Sequence, residues 1–165
     1  MNLESAIPVS SSQPFRVSDA AHLFNNPILI ADDDSVVRGS LAAVLESEGF
    51  TVIEASDGFE AVNRAVKTLP ALVLLDLNMP RWDGWTAFSQ LERVAPLFPV
   101  IVITARPNQY ATAVRLGVDA FMEKPLNISV LVRAIKRLTS EDEKRRERRI
   151  TNAAFVTKLL SSANS

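Results

Sequence analysis

Five short apolar runs, "ILIA" (28–31), "TVIEA" (51–55), "ALVLL" (71–75), "VIVIT" (100–104) and "AFME" (120–123), alternate with stretches whose apolar residues fall at helical spacing. The helical stretches are 35–48, 59–68, 86–94, 108–116 and 127–138. Ser35 is placed to cap the first, Gly49 to end it, and Gly117 follows the fourth. The first, third and fourth runs lack the polar alternation of a half-exposed strand, so both of their faces must be covered. Strands covered on both sides and joined through helices form a parallel sheet, and right-handed crossovers wind it into a doubly wound α/β domain.

Such a sheet collects ligands beyond the carboxyl ends of its strands, at the switch point of the strand order. The residues in that position are Asp32, Asp33 and Asp34 after the first run, Asp76 after the third, Thr104 at the end of the fourth and Lys124 after the fifth. Taken singly, an Asp after a strand is a turn former or helix cap and a Lys-Pro is a surface loop. Four strand ends converging on one chemistry point elsewhere.

Carboxylate oxygens suit Mg2+, a hard ion that takes six oxygen ligands. Asp32, Asp33 and Asp76 bring three negative charges, which Mg2+ and the Lys124 ammonium together neutralise. Without the ion the cluster is repulsive, and at least one carboxyl is expected to titrate above its ordinary range. A carboxylate beside Mg2+ can attack a phosphoryl group and form an acyl phosphate. Asp76 is the candidate nucleophile, with the turn "NMP" after it to keep it accessible. Thr104 and Lys124 are placed to engage the phosphoryl oxygens. Asp34 is left over as a helix-start residue beside the positive end of the first helix's dipole.

The combination of "DDD", "LLDLNMPRWDG", "VITA" and "AFMEKP" resembles the receiver domain of two-component response regulators, chemotaxis-regulator-like and stand-alone, over residues 27–138. The resemblance implies a five-stranded sheet of flavodoxin-like order 2-1-3-4-5 with helices on both faces. It implies Mg2+ held by Asp32, Asp33, Asp76 and the backbone carbonyl of Asn78, with Asp33 a direct ligand and Asp32 acting largely through water. Asp76 resembles the phosphoacceptor, Thr104 and Phe121 the switch pair, and Lys124 the phosphoryl-binding lysine, followed by Pro125 in a cis bond. The implied activity is uptake of a phosphoryl group from a histidine kinase or phosphotransfer protein, followed by slow self-dephosphorylation. The implied output is an altered contact with a downstream protein through the face of helix 4, strand 5 and helix 5. Asn78 and Arg106 flank the expected path of the attacking water and are expected to tune the lifetime of the acyl phosphate.

Two alternatives stay open: a receiver-fold adaptor that is not phosphorylated, and a phosphorelay intermediate without direct output. A haloacid dehalogenase-type phosphatase needs a second acid two residues after the nucleophile, where this chain has Asn78. A dinucleotide-binding enzyme needs a glycine-rich turn where this chain has aspartates.

Composition narrows the partners. A formal net charge of −1 argues against whole-molecule attraction to nucleic acid or anionic membrane. The absence of cysteine removes disulfides and thiolate sites. The start lacks a basic segment followed by a long apolar one, and no run approaches the ~18 apolar residues of a membrane span, so a cytoplasmic protein is expected. Residues 1–26, rich in Ser and Pro and holding the sole histidine, His22, are expected to be a mostly irregular extension. Residues 139–165 are expected to be a charged helical extension, short of the ~50 residues at which independent domains begin, so no DNA-binding domain is expected. Ile150, Ala153, Ala154, Phe155, Leu159 and Leu160 give this tail an apolar face that either packs back on the domain or serves a homodimer or partner. Trp82 is expected to be exposed and Trp85 to begin or pack the third helix.

Overall fold

The computed structural model describes residues 26–141, 144, 147, 151 and 155–161. The elements run β1 (Ile28–Ala31), α1 (Ser35–Ser47), β2 (Val52–Ala55), α2 (Gly58–Thr68), β3 (Leu72–Asp76), α3 (Gly84–Val94), β4 (Val100–Thr104), α4 (Tyr110–Leu116), β5 (Ala120–Glu123), α5 (Ile128–Thr139) and β6 (Lys158–Leu159). All strand pairings are parallel, and the order across the sheet is β2-β1-β3-β4-β5-β6.

Strand alternation splits the core in two. Ile28, Ile30, Leu72, Leu74, Ile101 and Ile103 point to one side, where Leu41 and Leu45 of α1 and Leu131 and Ile135 of α5 cover them. Leu29, Ala31, Val73, Leu75 and Val102 point to the other, under Ala61 and Ala65 of α2, Phe88 and Leu91 of α3 and Ala113 of α4. β1, β3 and β4 are buried along their whole length, as their unbroken apolar character requires. Each Leu or Ile so buried contributes about 1.5–3 kcal/mol of transfer free energy, and these central strands hold the rim residues in register.

Among the described residues, four of the five helix starts at the rim are capped by short polar side chains, and only α4, which follows Gln109, has no side-chain cap. Asp57 accepts from the Glu60 N–H, Asp83 from that of Thr86, and Asn127 from that of Val130. At α1 the structure corrects the expected cap. Asp34, with extended backbone, accepts from the N–H groups of Val36 and Val37 at 2.8 and 3.2 Å, and Ser35 is the first helical residue. A carboxylate in that place satisfies donors the helix itself cannot, worth about 1 kcal/mol. Gly49 and Gly117 take left-handed conformations after α1 and α4, as their sequence positions suggested.

The sixth strand departs from the five-stranded expectation. Residues 158–159 are not helical: they pair with the outer edge of β5, Ala120 opposite Lys158 and Phe121 opposite Leu159. A sheet edge offers a row of unpaired backbone groups, and this segment takes up some of them. Of the two readings of the tail's apolar residues, packing back on the domain describes Leu160, which is buried against the α1/α5 side of the core. Lys144, Glu147 and Thr151 are helical and exposed. His22 and the rest of residues 1–25, with Ile150, Ala153 and Ala154, lie outside the described residues. Among the described residues, no helix is long and apolar enough to cross a membrane.

Candidate functional site

β1 and β3 are neighbours in the sheet, with Ala31 opposite Leu75, so the residues that follow them reach the rim side by side. Carboxylate oxygens of Asp32, Asp33 and Asp76 lie within 4.8 Å of one another. Asp32 and Asp76 are buried and Asp33 is exposed. Lys124 arrives from the end of β5 and places Nζ 2.9 Å from Asp32 Oδ2 and 3.3 Å from Asp76 Oδ2. Its peptide bond to Pro125 is cis, as the resemblance implied.

The burial that orders this cluster also charges it unfavourably. Desolvation pushes the Asp76 carboxyl above the ordinary carboxylate range, helped by the negative charge of Asp32 and opposed by the Lys124 ammonium and the Asn78 N–H. A raised carboxyl is expected from repulsion within the cluster; its main cause is burial, with the Asp32 charge a smaller contribution. For Lys124, burial works against the charged form, but the hydrogen bond it donates to Asp32 and the charges of both carboxylates outweigh it and raise its pKa. Three carboxylates against one ammonium leave an excess of negative charge, and an all-oxygen donor set of that kind fits a hard divalent cation.

Asp32 is held on every side. Its Oδ1 accepts from the Asp34 N–H at 2.9 Å, and its backbone carbonyl accepts from Arg38 Nη1 at 2.7 Å. Arg38, whose Nε also donates to Glu54, fixes the Asp32 backbone from the side of α1. Nothing in the sequence marked it, because an Arg on a helix carries no motif.

The Asp76 side is fixed by the start of α3. A Cβ on Gly84 would lie 2.3 Å from the Asp76 carbonyl oxygen and 2.7 Å from Leu77 Cα, so only glycine lets the helix sit this close behind Asp76. The intervening loop is pinned to α2. Arg81 pairs with Asp57 and lies over the Phe59 ring at 5.0 Å from its centroid, while Trp82 packs edge-on to Phe59. Trp82 is therefore half-buried rather than exposed. The absence of a Cβ at Gly58, where one would meet the Trp82 carbonyl at 2.3 Å, is what admits it. Trp85, the second residue of α3, packs against Phe88 and donates to Gln109 Oε1 at 2.9 Å.

Thr104 closes the third side. It is fully buried, and its Oγ1 accepts from the Arg106 N–H at 2.9 Å. The Arg106 guanidinium crosses to Asn78, with Nη2 and Nε 3.2 and 3.3 Å from Asn78 Oδ1, and Nη1 lies 3.8 Å from Asp83. Phe121 is fully buried on β5, its ring 5.8 Å from that of Tyr110 at the start of α4. Tyr110 was not singled out in the sequence.

Residues 28–136 match the family described as the response regulator receiver domain. The alkaline phosphatase synthesis transcriptional regulatory protein PhoP of Bacillus subtilis is 35% identical over 118 residues, which are 68% of this chain and 49% of that protein. The chain spans about half the length of such curated relatives. Among solved structures, a CheY-like receiver domain protein from Methanospirillum hungatei superposes with a TM-score of 0.67 at 28% identity, covering 72% of this chain and 97% of that one. The CheX-CheY-BeF3-Mg2+ complex from Borrelia burgdorferi gives a TM-score of 0.64 at 28% identity, covering 70% of this chain and 90% of that one. The strand order, the rim of aspartates and these likenesses agree: the chain belongs to the response regulator receiver domain family.

Proposed function

We propose that this domain is a phosphorylation-dependent switch in which Asp76 accepts a phosphoryl group from a histidine kinase or phosphotransfer protein in the cytoplasm. The observation that carries this reading is the placement of a buried Asp76 carboxylate between two other aspartates and a lysine at one rim. A carboxylate oxygen of Asp76 attacks phosphorus. The bond from phosphorus to the donor's imidazole nitrogen breaks, the imidazole takes up a proton from solvent, and an acyl phosphate remains on Asp76. The Lys124 ammonium pairs with one phosphoryl oxygen and the Thr104 hydroxyl donates to another. Asp32, Asp33, Asp76 and the Asn78 carbonyl would hold Mg2+, which when bound neutralises charge on the carboxylates and the transferring group.

Thr104 exchanges its present bond with the Arg106 N–H for one to the phosphoryl group, and Phe121 packs behind it in the altered position. The changed face of α4, β5 and α5 is then presented to a downstream protein. Hydrolysis resets the switch: water attacks phosphorus, inorganic phosphate leaves and the carboxylate returns. Asn78 and Arg106, joined across the approach to Asp76, set how readily that water arrives.

The test is incubation of the full chain with Mg2+ and acetyl phosphate, read by intact mass. The wild type gains one phosphoryl group and Asp76→Asn gains none. A wild type that gains nothing under these conditions hands the assignment to the adaptor reading.

A further inference from the structure

The tail strand meets the domain at Phe121, one of the two residues proposed to switch, and at Tyr110 packed against it. The Leu160 N–H donates to the Phe121 carbonyl at 2.8 Å, and the Lys158 N–H donates to that of Asp119 at 3.2 Å. The Tyr110 hydroxyl, on the ring that packs against Phe121, donates to the Thr157 carbonyl at 3.0 Å. Thr157 Oγ1 in turn donates to the Ala113 carbonyl of α4 at 3.2 Å. The segment thus bridges β5 and α4 and covers the outer edge of β5.

Its hold is slight. Two paired residues are fewer than the 3–10 of ordinary strands. Thr157 and Leu160 are buried, while Val156 is 65% exposed and Leu159 is 49% exposed. A two-residue edge strand whose own residues, Lys158 and Leu159, are exposed belongs to the low-stability end of local opening. Moving the Tyr110 ring disturbs its bond to Thr157 directly, and Phe121 carries both the ring packed on Tyr110 and the carbonyl that holds Leu160.

We propose that residues 157–160 are a cis-acting strap on the edge of β5, closed in the resting protein and released when Asp76 is phosphorylated. Release frees the Asp119 and Phe121 carbonyls at the sheet edge together with the adjoining surface of α4. The strap rests on the reading of Asp76 as phosphoacceptor and goes beyond it by naming what that switch moves. Because coupling is reciprocal, whatever opens the strap must also favour the phosphorylated form by the same factor.

The experiment is amide hydrogen exchange at Lys158 and Leu160 in the full chain, with and without Mg2+ and beryllofluoride, while the fluorine resonance of bound beryllofluoride reports loading. Loading is expected to accelerate exchange at both amides about tenfold, within the range usual for coupled sites. Tyr110→Phe, which keeps the ring and loses the hydroxyl, is expected to accelerate it in the unloaded protein. Leu160→Asp, which opens the strap throughout, is expected to bind beryllofluoride more tightly by the factor seen on loading. Unchanged exchange in loaded wild type overturns the strap and leaves the phosphoacceptor reading standing, as does an unchanged beryllofluoride affinity in Leu160→Asp. Absence of a bound fluorine signal in the wild type overturns the phosphoacceptor reading, and the strap with it.

Discussion

Lys124→Met removes the ammonium that lies 2.9 Å from Asp32 and 3.3 Å from Asp76 while keeping most of the side chain's bulk. At an effective dielectric of about 20 the two attractions are worth about 6 and about 5 kcal/mol gross. Desolvating the ammonium and both carboxylates takes back much of this. Breaking a buried pair costs about 3–5 kcal/mol net. The lower end applies here, because the Lys124 side chain is 21% exposed and Asp76, whose pKa is already raised, can take up a proton. The expected loss is about 3 kcal/mol, or about 6–12 °C in Tm for a chain of this size.

The assay is thermal and urea unfolding at neutral pH with EDTA, so that charge balance rests on the protein's own groups. Asp76→Asn should move the other way. A carboxyl with a raised folded-state pKa disfavours the folded protein above that pKa, and the effect vanishes once pH falls below the ordinary 3.8. Neutralising it therefore raises the midpoint in EDTA, and Mg2+ should then stabilise the wild type more than the variant. A Lys124→Met protein within about 1 kcal/mol of wild type in EDTA, or an Asp76→Asn protein less stable than wild type, would refute the charge account of the rim.

The adjacent aspartates should fail differently. Asp33→Ala is expected to abolish Mg2+-dependent phosphorylation with little change in Tm, whereas Asp34→Ala, which loses the α1 cap, costs about 1 kcal/mol in urea unfolding and leaves phosphorylation intact. Arg106→Ala, which opens the clasp to Asn78, should change the decay rate of the acyl phosphate more than its rate of formation, measured by following phosphorylated mass after the donor is removed. Glu60, held at about 2 by the Ser56 N–H and the Arg64 guanidinium, contributes stability that is complete above its ordinary 4.5 and is lost as pH falls toward 2. The gap in urea midpoint between wild type and Glu60→Gln should shrink over that window, and a gap independent of pH would contradict the assignment.

Much of this was legible because β1, β3 and β4 are apolar on both faces, a pattern that forces a parallel sheet and so fixes which strand ends meet. Asp32, Asp33, Asp76 and Lys124 are brought together by that topology. What escaped depends on side-chain reach rather than periodicity. The Arg81 pairing with Asp57 and the lodging of Trp82 on Phe59 follow from a close approach at Gly58 that no spacing rule reveals. Asp34 was read through its charge alone, although its side-chain oxygen also fits the geometry of a cap. β6 was missed because "TKLL" continues an apparent helical face, and a two-residue strand is decided by the edge it meets.

The central claim is that Asp76, and neither of its buried or exposed neighbours, carries the phosphoryl group. Reducing the phosphorylated protein with borohydride converts an aspartyl phosphate to homoserine, and peptide mapping locates the converted residue. The account predicts homoserine at position 76 alone; conversion at Asp32 or Asp33, or phosphorylated protein with no converted aspartate, contradicts it.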